Sequence, residues 1–233
     1  MKISRRLFVK NTSVGIFSIA LLNPIKQLWA LTKNNPSNPP SWKELVEIAR
    51  WCPTVHNLQP HQVKIISETE AELFYNPERL LPVEDSDSIF TTIAMGIFIE
   101  HLSIAAAQFG YKVIIDQLYD PISTKSLKST LFAKLKLVLS SEKEVLDKQL
   151  IFKRRTSRVH YDGKILNENT IQRIKKESEK FGQDFFYSSE KDIVDFVITL
   201  NEETLFEDLG SKPTRDELDR LFRYNKKEAE LRK

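Results

Sequence analysis

Two stretches of the chain carry side chains that could do chemistry together. The first is Pro53-Thr54-Val55-His56-Asn57-Leu58-Gln59-Pro60-His61. Its prolines fix a rigid turn. Within it Asn57 and Gln59 each offer amide donors and a carbonyl acceptor, and Thr54 adds a hydroxyl. Such groups suit the edge of a flat heterocycle with carbonyls and ring nitrogens, as a flavin has. They equally suit a polar helix-to-strand connection that satisfies its own backbone. The second stretch is Lys153-Arg154-Arg155-Thr156-Ser157-Arg158. Guanidinium forks on either side of a hydroxyl make a phosphate clamp, because Arg binds phosphate bidentately and stays charged. The alternative is a solvated basic loop, which such runs usually are.

Composition narrows the classes. A chain of 233 residues, 41% hydrophobic and 29% charged, can bury a globular core. The net charge of +3, with Lys and Arg interspersed among Asp and Glu, argues against nucleic acid as a partner. One cysteine excludes an intrachain disulfide and a Cys-based metal cluster. The six glycines form neither common phosphate-loop pattern, and the four histidines lack zinc-ligand spacing. Asp85 and Asp87 lie in a carboxylate-rich loop that lacks the Gly and distal Glu of a calcium loop, so no metal is expected there. No metal is expected elsewhere either, and no catalytic nucleophile or base stands out. Cys52, at a helix end with no base adjacent in sequence, reads as a buried packing thiol.

Several elements must position these groups. A helix is expected from Ser41, with Glu44 completing a capping box and Trp42, Leu45, Val46 and Ala49 facing the core. Strands are expected at 62–67, 72–75, 112–116 and 131–139, the last with one polar face. Between them Asp87 or Ser88 should cap a long apolar helix that ends at Gly110. On it Ile93, Gly96, Ile97, Glu100, His101, Ile104 and Ala105 recur at intervals of three and four. His101 reads either as a packed residue or as a ligand contact. A short helix should run from Glu142 to Ile151. Further on, Asn167 should cap a helix over 168–181, and 184–188 reads as a strand. Helices follow over 191–209 and 215–231, with Pro213 stopping one and Thr214 capping the next.

Read as motifs, both stretches resemble one family. Ala49-Arg50-Trp51-Cys52-Pro53-Thr54-Val55-His56-Asn57-Leu58-Gln59-Pro60-His61 is similar to the A-x-x-A-P-S-x-H-N-x-Q-P-W segment of the nitroreductase superfamily, in its Acg-like branch of FMN-binding oxidoreductases. Cys52 replaces a small Ala, Thr54 replaces Ser and keeps the hydroxyl, and His61 replaces Trp. Arg154-Arg155-Thr156-Ser157-Arg158-Val159-His160-Tyr161 resembles the superfamily's R-R-S-x-R-x-F phosphate- and ribityl-binding segment. Glu217-Leu218-Asp219-Arg220-Leu221-Phe222-Arg223 resembles the branch's E-L-x-x-W-L-R. The resemblance implies an α+β, nitroreductase-like fold with a small, mostly antiparallel sheet packed by helices. It implies FMN held by Arg154, Thr156 and Arg158 at the phosphate and by Thr54, His56, Asn57 and Gln59 at the ring. NAD(P)H would be the donor, and a nitro or quinone-like small molecule the acceptor.

In an ordinary nitroreductase the Arg segment comes first and two subunits share each flavin. Here the order is reversed, which implies two fused, degenerate repeats. The organisation expected is a signal or anchor over 1–31, a linker over 32–40, a first repeat over 41–150 and a shortened second repeat over 151–233. The chain stops at Lys233, before the family's D-G-L. Ser4-Arg5-Arg6-Leu7-Phe8-Val9-Lys10, followed by the apolar run Val14–Leu22, resembles a twin-arginine export signal. Leu28 precedes Ala30 where an A-x-A cleavage site would need a small residue, so an uncleaved membrane anchor stays open beside a periplasmic location. A homodimer also stays open. So do two other readings of function, a non-catalytic flavin binder and an inert remnant.

Overall fold

The computed structural model describes residues 38–141, 146–157, 159, 162–223 and 225–231. The chain divides into two compact units, Met1–Asn38 and Pro39–Lys233, and every element below belongs to the second. The expected export signal lies outside the described residues, as do Arg158, His160 and Tyr161.

The sheet has four strands in the order β1-β2-β4-β3, all antiparallel. Strands β1 (His61–Ile65) and β2 (Glu70–Tyr75) form one hairpin, and β3 (Tyr111–Leu118) and β4 (Thr130–Leu139) form another. The two join through β2 and β4, with Leu73 opposite Ala133. Side-chain alternation decides which face is buried. Ala71, Leu73 and Tyr75 of β2 and Ala133, Leu135 and Leu137 of β4 are buried. On the opposite face Lys136 pairs with Asp116 at 3.0 Å and with Glu70 at 3.6 Å. This is the α+β architecture expected, with a small antiparallel sheet packed by helices.

Helix α1 (Trp42–Ala49) and the long helix α2 (Ile89–Ala107) pack together, and α2 also packs on β3. The core side of α1 is Trp42, Leu45, Ile48 and Ala49; Val46 is only partly covered. The expected capping box does not form, because the Ser41 side chain makes no cap bond. Glu44 instead sits against Lys148, where burial pushes its carboxyl pKa up and the ammonium opposes the shift.

Helix α2 buries Ala94, Met95, Phe98, Leu102, Ala105 and Ala106, whereas Ile93 is about half exposed and Glu100 faces out. The series that recurs at intervals of three and four thus does not mark one buried face. A helix that is apolar nearly all round gives its periodicity little power to choose a face. Its cap is also displaced. Ser88 is in the left-handed region (φ 56°) and makes no side-chain cap bond. Asp85 takes that role, accepting hydrogen bonds from the backbone N–H groups of Phe90 (3.0 Å) and Thr91 (2.9 Å) and from the Thr91 hydroxyl (2.7 Å). Both carboxylate oxygens are thus used on the helix N-terminus, where negative charge is favoured. At the other end Gly110 adopts φ 77°, the left-handed conformation that closes a helix at little steric cost.

Past the sheet the described residues are helical. α3 spans Gln149–Lys153, α4 Glu168–Glu179, α5 Lys191–Gly210, α6 Lys212–Asp219 and α7 Lys226–Leu231. Asn167 caps α4 as expected, accepting from Thr170 N–H at 2.9 Å. The strand expected at 184–188 does not form, and Phe186 is 88% exposed. No strand of the described sheet pairs with this segment, and an unpaired strand leaves its backbone without partners. Ser211, rather than Thr214, caps α6, with Pro213 inside its first turn.

Candidate functional site

The C-terminus of α1 delivers Arg50 into a tight descent to Pro53. Cys52 N–H donates to Ala49 O at 2.9 Å and Trp51 N–H to Ile48 O at 3.2 Å. A single 3-10 turn, Val55–Asn57, follows. Three non-glycine residues here, His56 (φ 46°), Asn57 (φ 58°) and Gln59 (φ 49°), sit in the left-handed region. Each such residue costs on the order of 1–3 kcal/mol unless its surroundings impose it, Asn least. Those surroundings are visible. Gln59 N–H donates to Thr54 Oγ1 (3.0 Å), and the Gln59 side-chain amide donates to Arg50 O (2.9 Å). Arg79 Nη1 donates to Leu58 O (2.9 Å). His56 Nε2 lies 2.7 Å from Glu84 Oε2.

This turn forms one wall of an open-sided depression of about 940 Å³. Thr54, His56, Asn57 and Gln59 line it together with Arg154 and Thr156, which follow α3. The structure therefore brings six of the seven expected site residues to one cavity, and the seventh, Arg158, lies outside the described residues. Arg154 Nη1 donates to Thr156 Oγ1 at 3.4 Å. His101 does not line the cavity. It is buried on α2, and desolvation pushes its pKa down, with a hydrogen bond to Ala49 O opposing.

Six further lining residues stood outside the expected site set: Arg50, Trp51, Cys52, Pro53, Leu221 and Phe222. Trp51 is 54% exposed although it is a large aromatic, and its ring meets Phe152 edge-on with centroids 5.7 Å apart. Its place two residues after Ala49, the last core residue of α1, was the available signal. Leu221 and Phe222 stood in the segment resembling E-L-x-x-W-L-R, but only the fold brings them to the cavity, from beyond α6. Among the described residues the lining holds Arg50, Arg154 and His56 and no Asp or Glu. Arg50 has a carboxylate nearby, Glu47 at 3.4 Å, but both partners are over 60% exposed and such pairs are worth little. The cavity has the volume of a small-molecule site.

Comparison with known proteins adds little to this geometry. No family model matches the sequence, and no curated protein does. Among solved structures the chain is similar to a nitroreductase family protein from Clostridium difficile 630, with 16% identity and a TM-score of 0.34, over 52% of this chain and 84% of that one.

Cys52 is a buried residue of the cavity lining, and His61, half-buried, lies against it. His61 stacks on Phe98 (centroids 4.4 Å apart, planes 15° apart) and its Nε2 donates to Ala94 O at 3.1 Å. Cys52 Sγ is 3.9 Å from the same nitrogen. The carbonyl requires that nitrogen to carry its proton, so it cannot take one from the thiol. Burial pushes the Cys52 pKa up to about 11, and the nearby Arg154 charge only partly opposes this. At pH 7.5 the thiolate should therefore be about a hundredfold scarcer than for a thiol at the ordinary value of 9.0. Iodoacetamide should alkylate Cys52 in the native protein at least that much more slowly than in urea, with mass spectrometry as the readout.

Proposed function

We propose that this protein is an FMN-dependent oxidoreductase of nitroreductase type, passing electrons from NAD(P)H to nitro or quinone-like acceptors. The observation that carries the proposal is the shared cavity. The amide-rich turn at 54–59 and the guanidinium and hydroxyl of Arg154 and Thr156, remote in sequence, line one depression with no carboxylate among its described residues. The donor set fits the group. Arg154 and Thr156 would hold the phosphate, and Asn57 and Gln59 would orient the ring edge. Thr54 and His56 already have partners, in Gln59 N–H and in Glu84 beyond the turn, so their part is to fix its shape; Gln59 gives one amide N–H to Arg50 O and would turn the rest of its amide to the ring.

When bound, FMN supplies two-electron redox chemistry between a nicotinamide and an electron-poor acceptor. The chain's own contribution is binding, orientation and shielding. Trp51 and Phe222 offer aromatic surface at the cavity wall, each just over half exposed. No acid–base group is required of it. The same reading takes the N-terminal segment as an export address.

Purified full-length protein, incubated with FMN and freed of excess, should keep the visible flavin absorption band. Anaerobic NADH or NADPH should then bleach the band. Protein that retains no flavin overturns the proposal. Flavin that is retained but not bleached by either nicotinamide leaves a non-catalytic binder.

A further inference from the structure

Helix α6 is attached to the rest of the fold in an unusual way. Its buried residues are Thr214 and Glu217, both polar; no apolar side chain of this helix is fully covered. Glu217 is only 2% exposed, and it makes contacts on the far side of the interface. Its carboxylate accepts hydrogen bonds from Val83 N–H (3.2 Å to each oxygen) and from Glu84 N–H (2.8 Å). On its own helix it meets Arg220 Nη2 at 3.6 Å. Two successive backbone N–H groups converging on one anion make a strong, directional contact.

Both ends of this contact lead to the cavity. Immediately after α6 come Leu221 and Phe222, which line it. Glu84, whose N–H is bound by Glu217, uses its own side chain to hold His56, which also lines it. One buried carboxylate therefore sets the position of two walls.

We infer that residues 211–222 form a releasable wall of the cavity, with Glu217 as its latch, so that ligand occupancy and docking of α6 stabilise each other. A helix docked through an apolar face would be held by burial. One docked through two polar side chains, Thr214 and Glu217, forgoes that burial, and linkage makes the coupling reciprocal. Glu217 is a positioning residue on this account. The identity of the ligand, FMN, rests on the reading proposed above; the latch itself does not.

The test uses the full-length chain and Glu217→Gln. The amide keeps the shape but loses the charge and turns an N–H towards a donor. Without ligand, hydrogen exchange over 212–222 and trypsin cleavage after Arg215 and Arg220 should be about tenfold faster in the variant, with the sheet amides unchanged. Glu217→Asp, which keeps the charge on a shorter arm, should fall between. If wild-type protein binds FMN, the ligand should slow exchange over 212–222, and Glu217→Gln should weaken FMN binding by about tenfold. Equal exchange and cleavage in wild type and both variants overturns the latch. So does FMN that binds the wild type without protecting 212–222. A wild type that binds no FMN but whose α6 is loosened by Glu217→Gln sinks the proposed function and leaves the latch standing.

Discussion

Replacing Arg154 by methionine is expected to weaken FMN binding by about 10- to 100-fold while leaving riboflavin binding unchanged. The two ligands share their ring and differ by the phosphate, so their comparison separates loss of a phosphate contact from general damage to the cavity. Arg154 lines the depression from the end of α3 and is backed by Thr156. A charge-assisted hydrogen bond is worth about 1.5–3 kcal/mol, which sets the range. Methionine retains most of the side-chain length, so packing near Trp51 and Phe152 should survive. A second readout needs no ligand. The Arg154 charge now holds the Cys52 thiol pKa below what burial alone would give, so the variant's Cys52 should be slower still to alkylate. Equal loss of FMN and riboflavin would point to a disturbed cavity. Unchanged FMN binding would remove Arg154 from the phosphate site, and with it the main support for the proposed function.

How much of this was legible in the sequence depended on whether a feature is local. The strands and the long helix α2 announce themselves by alternation and by apolar length. The turn at 54–59 announces itself by its prolines and amides. The partners of these elements are not local and did not show. Asp85 looked like one more loop carboxylate, yet the chain folds it back over the N-terminus of α2. Glu217 stood in the segment resembling E-L-x-x-W-L-R with no partner assigned to it, and only the approach of residues 83 and 84 makes it buried. Conversely, Phe185 and Phe186 have the composition of a strand, but composition supplies no neighbouring edge. The candidate site follows the same division. Its polar groups were legible from their types and from the family resemblance, whereas the aromatic wall at Trp51 and Phe222 exists only once α1 and α6 are placed.

Stability should fall steeply as the solution is acidified from pH 6.5 towards pH 4, and His61 should account for much of the loss. Burial against Phe98 pushes its pKa from 6.5 down to about 4, although the hydrogen bond to Ala94 O and the nearby His101 also act on it, in opposite directions. The folded form therefore prefers the neutral ring, and between those two values the unfolded chain binds more protons. The stabilisation is complete above pH 6.5 and is lost as pH falls towards the folded value, by on the order of 3 kcal/mol in full. His101 is shifted in the same direction by its own burial and should steepen the fall. His61→Phe isolates the effect, because an aromatic ring can keep the stack on Phe98 and cannot titrate. At pH 7.5 the variant should be less stable by about 1 kcal/mol, having lost the N–H donated to Ala94 O. That carbonyl keeps its ordinary partner within the helix, so no acceptor is stranded. Near pH 4.5 the order should invert, with the variant the more stable protein. Urea unfolding followed by circular dichroism at both pH values would reveal the crossing. Parallel curves would mean that His61 is not the group whose protonation the fold resists, and would shift the acid sensitivity to His101.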